Sequence, residues 1–217
     1  MKVVSWNIDR PGEARMQGRV ADLRTLSPDV ALLQEVSAAN AEHLVADFGS
    51  DRVAAGVLLR GRGPDETTSR DRGCAIVCLG SARPIGISRL LEGHVAPERS
   101  LIWRVALEGE ELDVASFHQI AGSDRKWRRP AKRAVFDAIA DWAARHERRA
   151  LFGIDANSPE TDHPDVTHNR YFPVDGSASE AETRGCDRSS VGRRVDGEVF
   201  RTHAARGRAP AGTVTWV

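Results

Sequence analysis

An α/β fold, with helices that both interrupt and flank its strands, is predicted by three features of the sequence. Short apolar runs of strand length alternate with amphipathic stretches of helical period. Five such runs follow one another between residues 53 and 117, so strands pair directly as hairpins and the sheet is not purely doubly wound. Apolar runs such as Ala75-Ile76-Val77-Cys78-Leu79 stop far short of the ~20 residues a transmembrane helix needs.

The elements read as follows. Val3-Val4-Ser5-Trp6 opens a strand, and Met16, Val20, Leu23 and Leu26 recur at helical spacing until Ser27-Pro28-Asp29 stops that helix. Val30-Ala31-Leu32-Leu33 has the pattern of a fully buried strand. Ser37 caps a second helix, with Leu44, Val45 and Phe48 on one face and Gly49 past its end. Strands are expected over 53–59, 75–79, 85–91, 101–107 and 112–117, with Gly109-Glu110-Glu111 joining the last two. Pro130 begins a long helix whose Val135, Ile139 and Trp142 share a side, and Ala150–Ile154 is the next strand. Residues 158–212 are rich in Pro, Gly, Ser, Arg and Asp. A stretch that long without apolar runs is read as either functional loop or partly mobile chain. Thr213–Val217 resumes β-forming residues with no strand after it. It is therefore expected to lack a partner, at the cut C-terminal end of a single 1–217 domain.

Composition narrows the class. With 41% apolar and 29% charged residues the chain is neither disordered nor collagen-like. Lys and Arg total 31 against 31 Asp and Glu, which excludes wholesale coating of nucleic acid but leaves local basic patches open. Three cysteines exclude a disulfide scaffold and suit a reducing cytoplasm. Cys74 and Cys78 read as small buried hydrophobes. The N-terminus has no apolar stretch of signal-peptide length, and the chain is expected to be a monomer.

The informative residues are polar ones at strand ends. Asn7 closes the first strand, Glu35 follows Val30–Gln34, His118 follows Leu112–Phe117, and Asp155 and Asn157 follow Leu151–Ile154. Strand ends form the rim where α/β proteins bind ligands. Amide and carboxylate oxygens there suit Mg²⁺ and a phosphate. Taken singly, each has a plainer explanation. Glu35 fits a helix-start charge, His118 a hydrogen-bonded buried imidazole, and Asp155-x-Asn157 an Asx turn.

Together, Ser5-Trp6-Asn7-Ile8, Leu33-Gln34-Glu35-Val36, Phe117-His118 and Gly153-Ile154-Asp155-Ala156-Asn157 resemble the endonuclease/exonuclease/phosphatase family, the deoxyribonuclease I-like superfamily. Arg72-Gly73-Cys74-Ala75-Ile76-Val77 resembles the family's central strand, and the likeness covers residues 1–157. It implies a four-layer sandwich of two packed mixed sheets flanked by helices. It also implies hydrolysis of phosphoesters by metal-activated water, with Mg²⁺ or alternatively Mn²⁺ as cofactor. On that resemblance Glu35 holds the metal with Asn7 beside it, Asp155 prepares the water, Asn157 holds a phosphate oxygen and His118 hydrogen-bonds the phosphate. The family closes with a Ser-Asp-His string on a late strand, and none is legible here. Asp162-His163 follows Asn157 too closely for a separate strand, and Asp196 is a weak stand-in for an earlier aspartate.

Substrate is read from one further stretch. Arg125, Lys126, Trp127, Arg128 and Arg129, with Lys132 and Arg133, form a basic segment carrying an aromatic that suits a nucleic-acid backbone and a stacked base. A solvated helix entry explains it equally well. Nucleic acid is the first expectation. A small or lipid phosphoester (inositol-phosphate or sphingomyelinase-like) is the rival, and a catalytically silent phosphate-binding module is the other.

Overall fold

The computed structural model describes residues 2–60, 72–91, 96–119, 128–146, 148–155 and 213–215. At 128–130, 132–133 and 213–215 the backbone alone is described. Two mixed sheets carry the chain. The first is ordered β10-β1-β2-β4-β3 and comprises β1 (Lys2–Asn7), β2 (Val30–Val36), β3 (Val53–Ala55), β4 (Gly73–Cys78) and β10 (Thr213–Thr215). The second is ordered β5-β7-β8-β9, from β5 (Arg83–Pro84), β7 (Ser100–Leu107), β8 (Glu110–His118) and β9 (Ala150–Asp155), with β6 (Arg89–Leu90) also on β7. The helices are α1 (Glu13–Leu26), α2 (Ala38–Phe48), α3 (Gly56–Arg60) and α4 (Arg128–Arg145).

Strand alternation sorts the core into layers. Val3, Val30, Leu32 and Ile76 face Leu101, Trp103, Val105 and Val114 between the sheets. Val4, Trp6, Ala31 and Leu33 point outward to Met16, Val20 and Leu23 of α1 and Leu44 of α2. Ile102, Ala115 and Phe117 point the other way, to Val135, Phe136 and Ile139 of α4. The result is four layers, helix–sheet–sheet–helix. The expected sandwich is the observed one.

Local chemistry explains most boundaries. Ser37 accepts from the Asn40 N–H at 3.1 Å, and the Asn40 side chain accepts from the Ser37 N–H at 3.3 Å, a reciprocal cap on α2. Gly49 ends that helix at φ 93°, beyond the range most side chains tolerate. Cys74 and Cys78 lie buried between the sheets, and burial is the main cause that pushes both thiols up to about 12.

Four expectations need correction. The 53–59 run is a strand only to Ala55, and Gly56–Arg60 is a helical turn. Gly56 packs so close to the Glu98 carbonyl that a Cβ would stand 2.3 Å from its oxygen, and the strand turns off there. The 85–91 run is replaced by two two-residue strands, β5 and β6, because backbone pairing with β7 stops after Ile85, whose N–H donates to the Arg104 carbonyl, and the Gly86 carbonyl accepts from the Trp103 indole instead. The β7–β8 turn is Glu108-Gly109, both at positive φ, with Leu107 facing Glu110, so Glu110 and Glu111 belong to the strand. Finally, β10 is not unpartnered. It runs antiparallel to β1, with Lys2 opposite Thr215 and Val4 opposite Thr213. No helix among the described residues is long and apolar enough to cross a membrane.

Candidate active site

The site lies at the C-terminal ends of β1, β2, β8 and β9, where the polar residues of the two inner faces meet. Parallel pairing puts His118 beside Asp155 in register, and the Gln119 N–H donates to the Asp155 carbonyl at 2.8 Å. Phe117 points to the opposite face and stacks edge-on to Trp142 of α4, which fixes His118 inward. From β1, Asn7 Nδ2 donates to Asp155 Oδ2 at 2.5 Å, and Asn7 Oδ1 accepts the Asp9 N–H at 2.8 Å.

Glu35 arrives by a distortion. Regular alternation would put it on the α1–α2 side with Leu33. Instead Glu35 adopts φ 58°, and the pairing with β4 steps from Gln34 opposite Cys74 to Val36 opposite Gly73. Two residues of β2 therefore stand against one of β4, a bulge that turns the carboxylate toward the second sheet. A left-handed glutamate costs about 1–3 kcal/mol, a strain typical of binding sites.

The outcome is a compact set. His118 Nε2 lies 3.6 Å from Glu35 Oε1 and 3.7 Å from Asp155 Oδ2. Both separations exceed a direct hydrogen bond and suit a group bridging the three. One ligand atom from each of Glu35, His118 and Asp155 lies within 4.8 Å of the others. Two carboxylates converging on a buried imidazole fit a divalent cation, with the oxygens as hard ligands and Asn7 Oδ1 retaining a second lone pair for it or its water.

One pleat below lies a polar floor on the same four strands. Gln34 Nε2 donates to Ser116 Oγ at 3.0 Å and to the Leu32 carbonyl at 3.0 Å, and Ser116 Oγ donates to the Leu33 carbonyl at 2.9 Å. Ser5 Oγ lies 3.3 Å from Gln34 Nε2. Gly153 completes the layer by having no side chain, since a Cβ there would sit 2.2 Å from Ser5 Oγ and 2.6 Å from Ser5 Cβ. Gly153→Ala should force β1 from β9 and cost about 1–3 kcal/mol in denaturant unfolding. Adding Ser5→Gly should restore most of it. A single variant as stable as the parent would contradict the close approach.

Of the residues expected from sequence, Asn7, Glu35, His118 and Asp155 are brought together. Arg128 and Arg129 begin α4 by backbone. Asn157, Arg125, Lys126, Trp127, Asp162, His163 and Asp196 lie outside the described residues. Reading the sequence missed Ser5, Gln34, Ser116 and Arg72. The first three stand at inward positions of strands that carry site residues, so a search for polar residues at period two would have found them. Arg72 NH1 lies 3.3 Å from Glu35 Oε2, a contact that no sequence spacing announces.

Comparison with solved structures settles the architecture. An AP endonuclease from Archaeoglobus fulgidus superposes with TM-score 0.57 at 18% identity, over 86% of this chain and 68% of that one. D. rerio TDP2 humanized by 14 mutations superposes with TM-score 0.56 at 17% identity, over 80% and 68%. The chain has a deoxyribonuclease I-like fold. D. rerio TDP2 complexed with a single-strand DNA product is also similar, with TM-score 0.52 at 16% identity over 76% of this chain and 62% of that one. No family model matches the sequence, and no curated protein does.

Proposed function

We propose that this protein is a divalent-metal-dependent phosphoester hydrolase acting on nucleic-acid phosphodiesters. The observation that carries the reading is the convergence of Glu35, His118 and Asp155 within 4.8 Å, at the strand ends of a deoxyribonuclease I-like sandwich. Structural neighbours with this fold include an AP endonuclease and a TDP2 solved with a DNA product, which supports the substrate class. Glu35 would hold the cation, Mg²⁺ or Mn²⁺, which supplies charge neutralisation at the phosphoryl group. Asp155, oriented by Asn7, accepts a proton from the attacking water as the new P–O bond forms. His118 donates to a phosphoryl oxygen while the ester P–O bond breaks and the leaving oxygen takes up a proton. Asn157 and the Arg125-Lys126-Trp127-Arg128-Arg129 segment are assigned to the phosphate and the nucleic-acid strand, within one domain spanning 1–217.

A panel of plasmid DNA, single-stranded oligonucleotides, RNA, inositol phosphates and sphingomyelin, each with Mg²⁺ and with EDTA, tests this. Mg²⁺-dependent cleavage of nucleic acid is expected. Hydrolysis of only the small or lipid esters would replace the substrate class. Phosphate binding without any turnover would make the protein a binding module.

A further inference from the structure

Three arginines, Arg60, Arg72 and Arg99, interact with Glu35 or Glu98, and they are not equally neutralised. Arg60 NH1 pairs with the buried Glu98 at 2.7 Å and is accounted for. Arg72 meets Glu35 alone among the described residues, at 3.3 Å, and 42% of its side chain is exposed against 13% for Glu35. Gly73, which follows it into β4, packs under the Glu98 carbonyl, where a Cβ would stand 2.7 Å from the oxygen. Arg99 is partly buried, with NH1 3.5 Å from the Gln119 carbonyl. Burial is the chief cause that lowers its pKa; Arg72 adds to the lowering, while Glu98, Cys74 and Glu35 oppose it. Glu35 therefore carries Oε1 toward His118, and Oε2 toward Arg72.

A cation held by Glu35 changes that balance. The carboxylate charge is then shared with a divalent ion, and Arg72 keeps four further N–H donors with no other described carboxylate beside it. Like charge at short range repels Arg72 from the ion, and an arriving anion relieves the repulsion. The anion that accompanies the cation in the proposed reaction is the phosphoryl group.

We infer that Arg72 is the anion-binding arm of this site, holding Glu35 when no substrate is present and passing to a non-bridging oxygen of the substrate phosphoryl group when Glu35 binds the cation. This rests on the proposed metal-dependent reading and goes beyond it in naming a residue of β4's entry, outside the strand-end set. The pairing predicts effects of opposite sign. Arg72 opposes the cation and favours the anion.

Calorimetric titration of the wild type and Arg72→Gln, first with MgCl₂ in phosphate-free buffer, then with inorganic phosphate at saturating Mg²⁺, reads both. Arg72→Gln should bind Mg²⁺ at least as tightly as the wild type, and phosphate about tenfold or more weakly, the loss of a charge-assisted hydrogen bond. KM for a phosphodiester should rise with the phosphate dissociation constant, and Arg72→Lys should recover part of both. Unchanged phosphate affinity overturns the inference. So does a parallel loss of Mg²⁺ and phosphate binding, the mark of a structural strut, or weaker phosphate binding with KM unmoved. A wild type that binds no Mg²⁺ overturns the metal reading instead, and phosphate titration in EDTA then decides Arg72 by itself.

Discussion

Glu35→Gln is expected to abolish the rise in melting temperature that Mg²⁺ gives the wild-type protein. A ligand bound only by the native state adds about 2.7 kcal/mol of stability at a hundred times its dissociation constant, and that increment disappears with the ligand site. Glutamine keeps the length and shape of the side chain but offers a neutral amide to the cation. Hydrolysis should fall by about 10²–10⁴-fold, with most of the loss in the metal-saturated rate. In EDTA the variant should keep the wild-type secondary structure and melt close to the wild type, since relief of the repulsion with Asp155 offsets loss of the part-exposed Arg72 ion pair. The combination separates a functional carboxylate from a structural one. A variant with an intact Mg²⁺ response would remove Glu35 from the site, whatever its activity.

The second large effect is expected at Asp155. Asp155→Asn keeps an oxygen for the Asn7 amide, so the sandwich should remain folded with unchanged secondary structure. The proton acceptor is lost, and general-base contributions of this kind are worth about 10²–10⁴ in rate. The loss should fall on kcat, with KM within a few-fold of the wild type, as measured by steady-state kinetics on an oligonucleotide. Asn7→Ala should cost less than Asp155→Asn, since it removes the partner that orients the carboxylate and leaves the carboxylate itself. A larger loss at Asn7 than at Asp155 would reverse their roles.

These residues were legible because strand ends are marked by where polar letters interrupt apolar runs. Asn7, Glu35, His118 and Asp155 each follow such a run, and two packed sheets bring the run ends together. Local signals also placed α1, the Ser37 cap of α2, the β7–β8 hairpin and α4. The features that escaped depend on contacts distant in sequence. Gly56 ends β3 because of Glu98, more than forty positions on. The pairing of β10 with β1 joins Thr215 to Lys2 across almost the whole chain. The bulge at Glu35 exists only relative to β4, and a sequence that reads as regular strand conceals it. Arg72 escaped for the same reason: its partner is set by that bulge. Sequence periodicity reports which face a residue takes, whereas close approach between sheets decides what meets there.

On the proposed reading a divalent cation sits against Glu35, between it and Asp155, with His118 facing both. Anomalous diffraction from crystals soaked in Mn²⁺ measures this directly. One strong peak is expected at ligand distance from a Glu35 oxygen, about 2.0–2.6 Å for a hard cation, on the side facing Asp155. A peak out of reach of Glu35, or none at a Mn²⁺ concentration that supports hydrolysis, would contradict it.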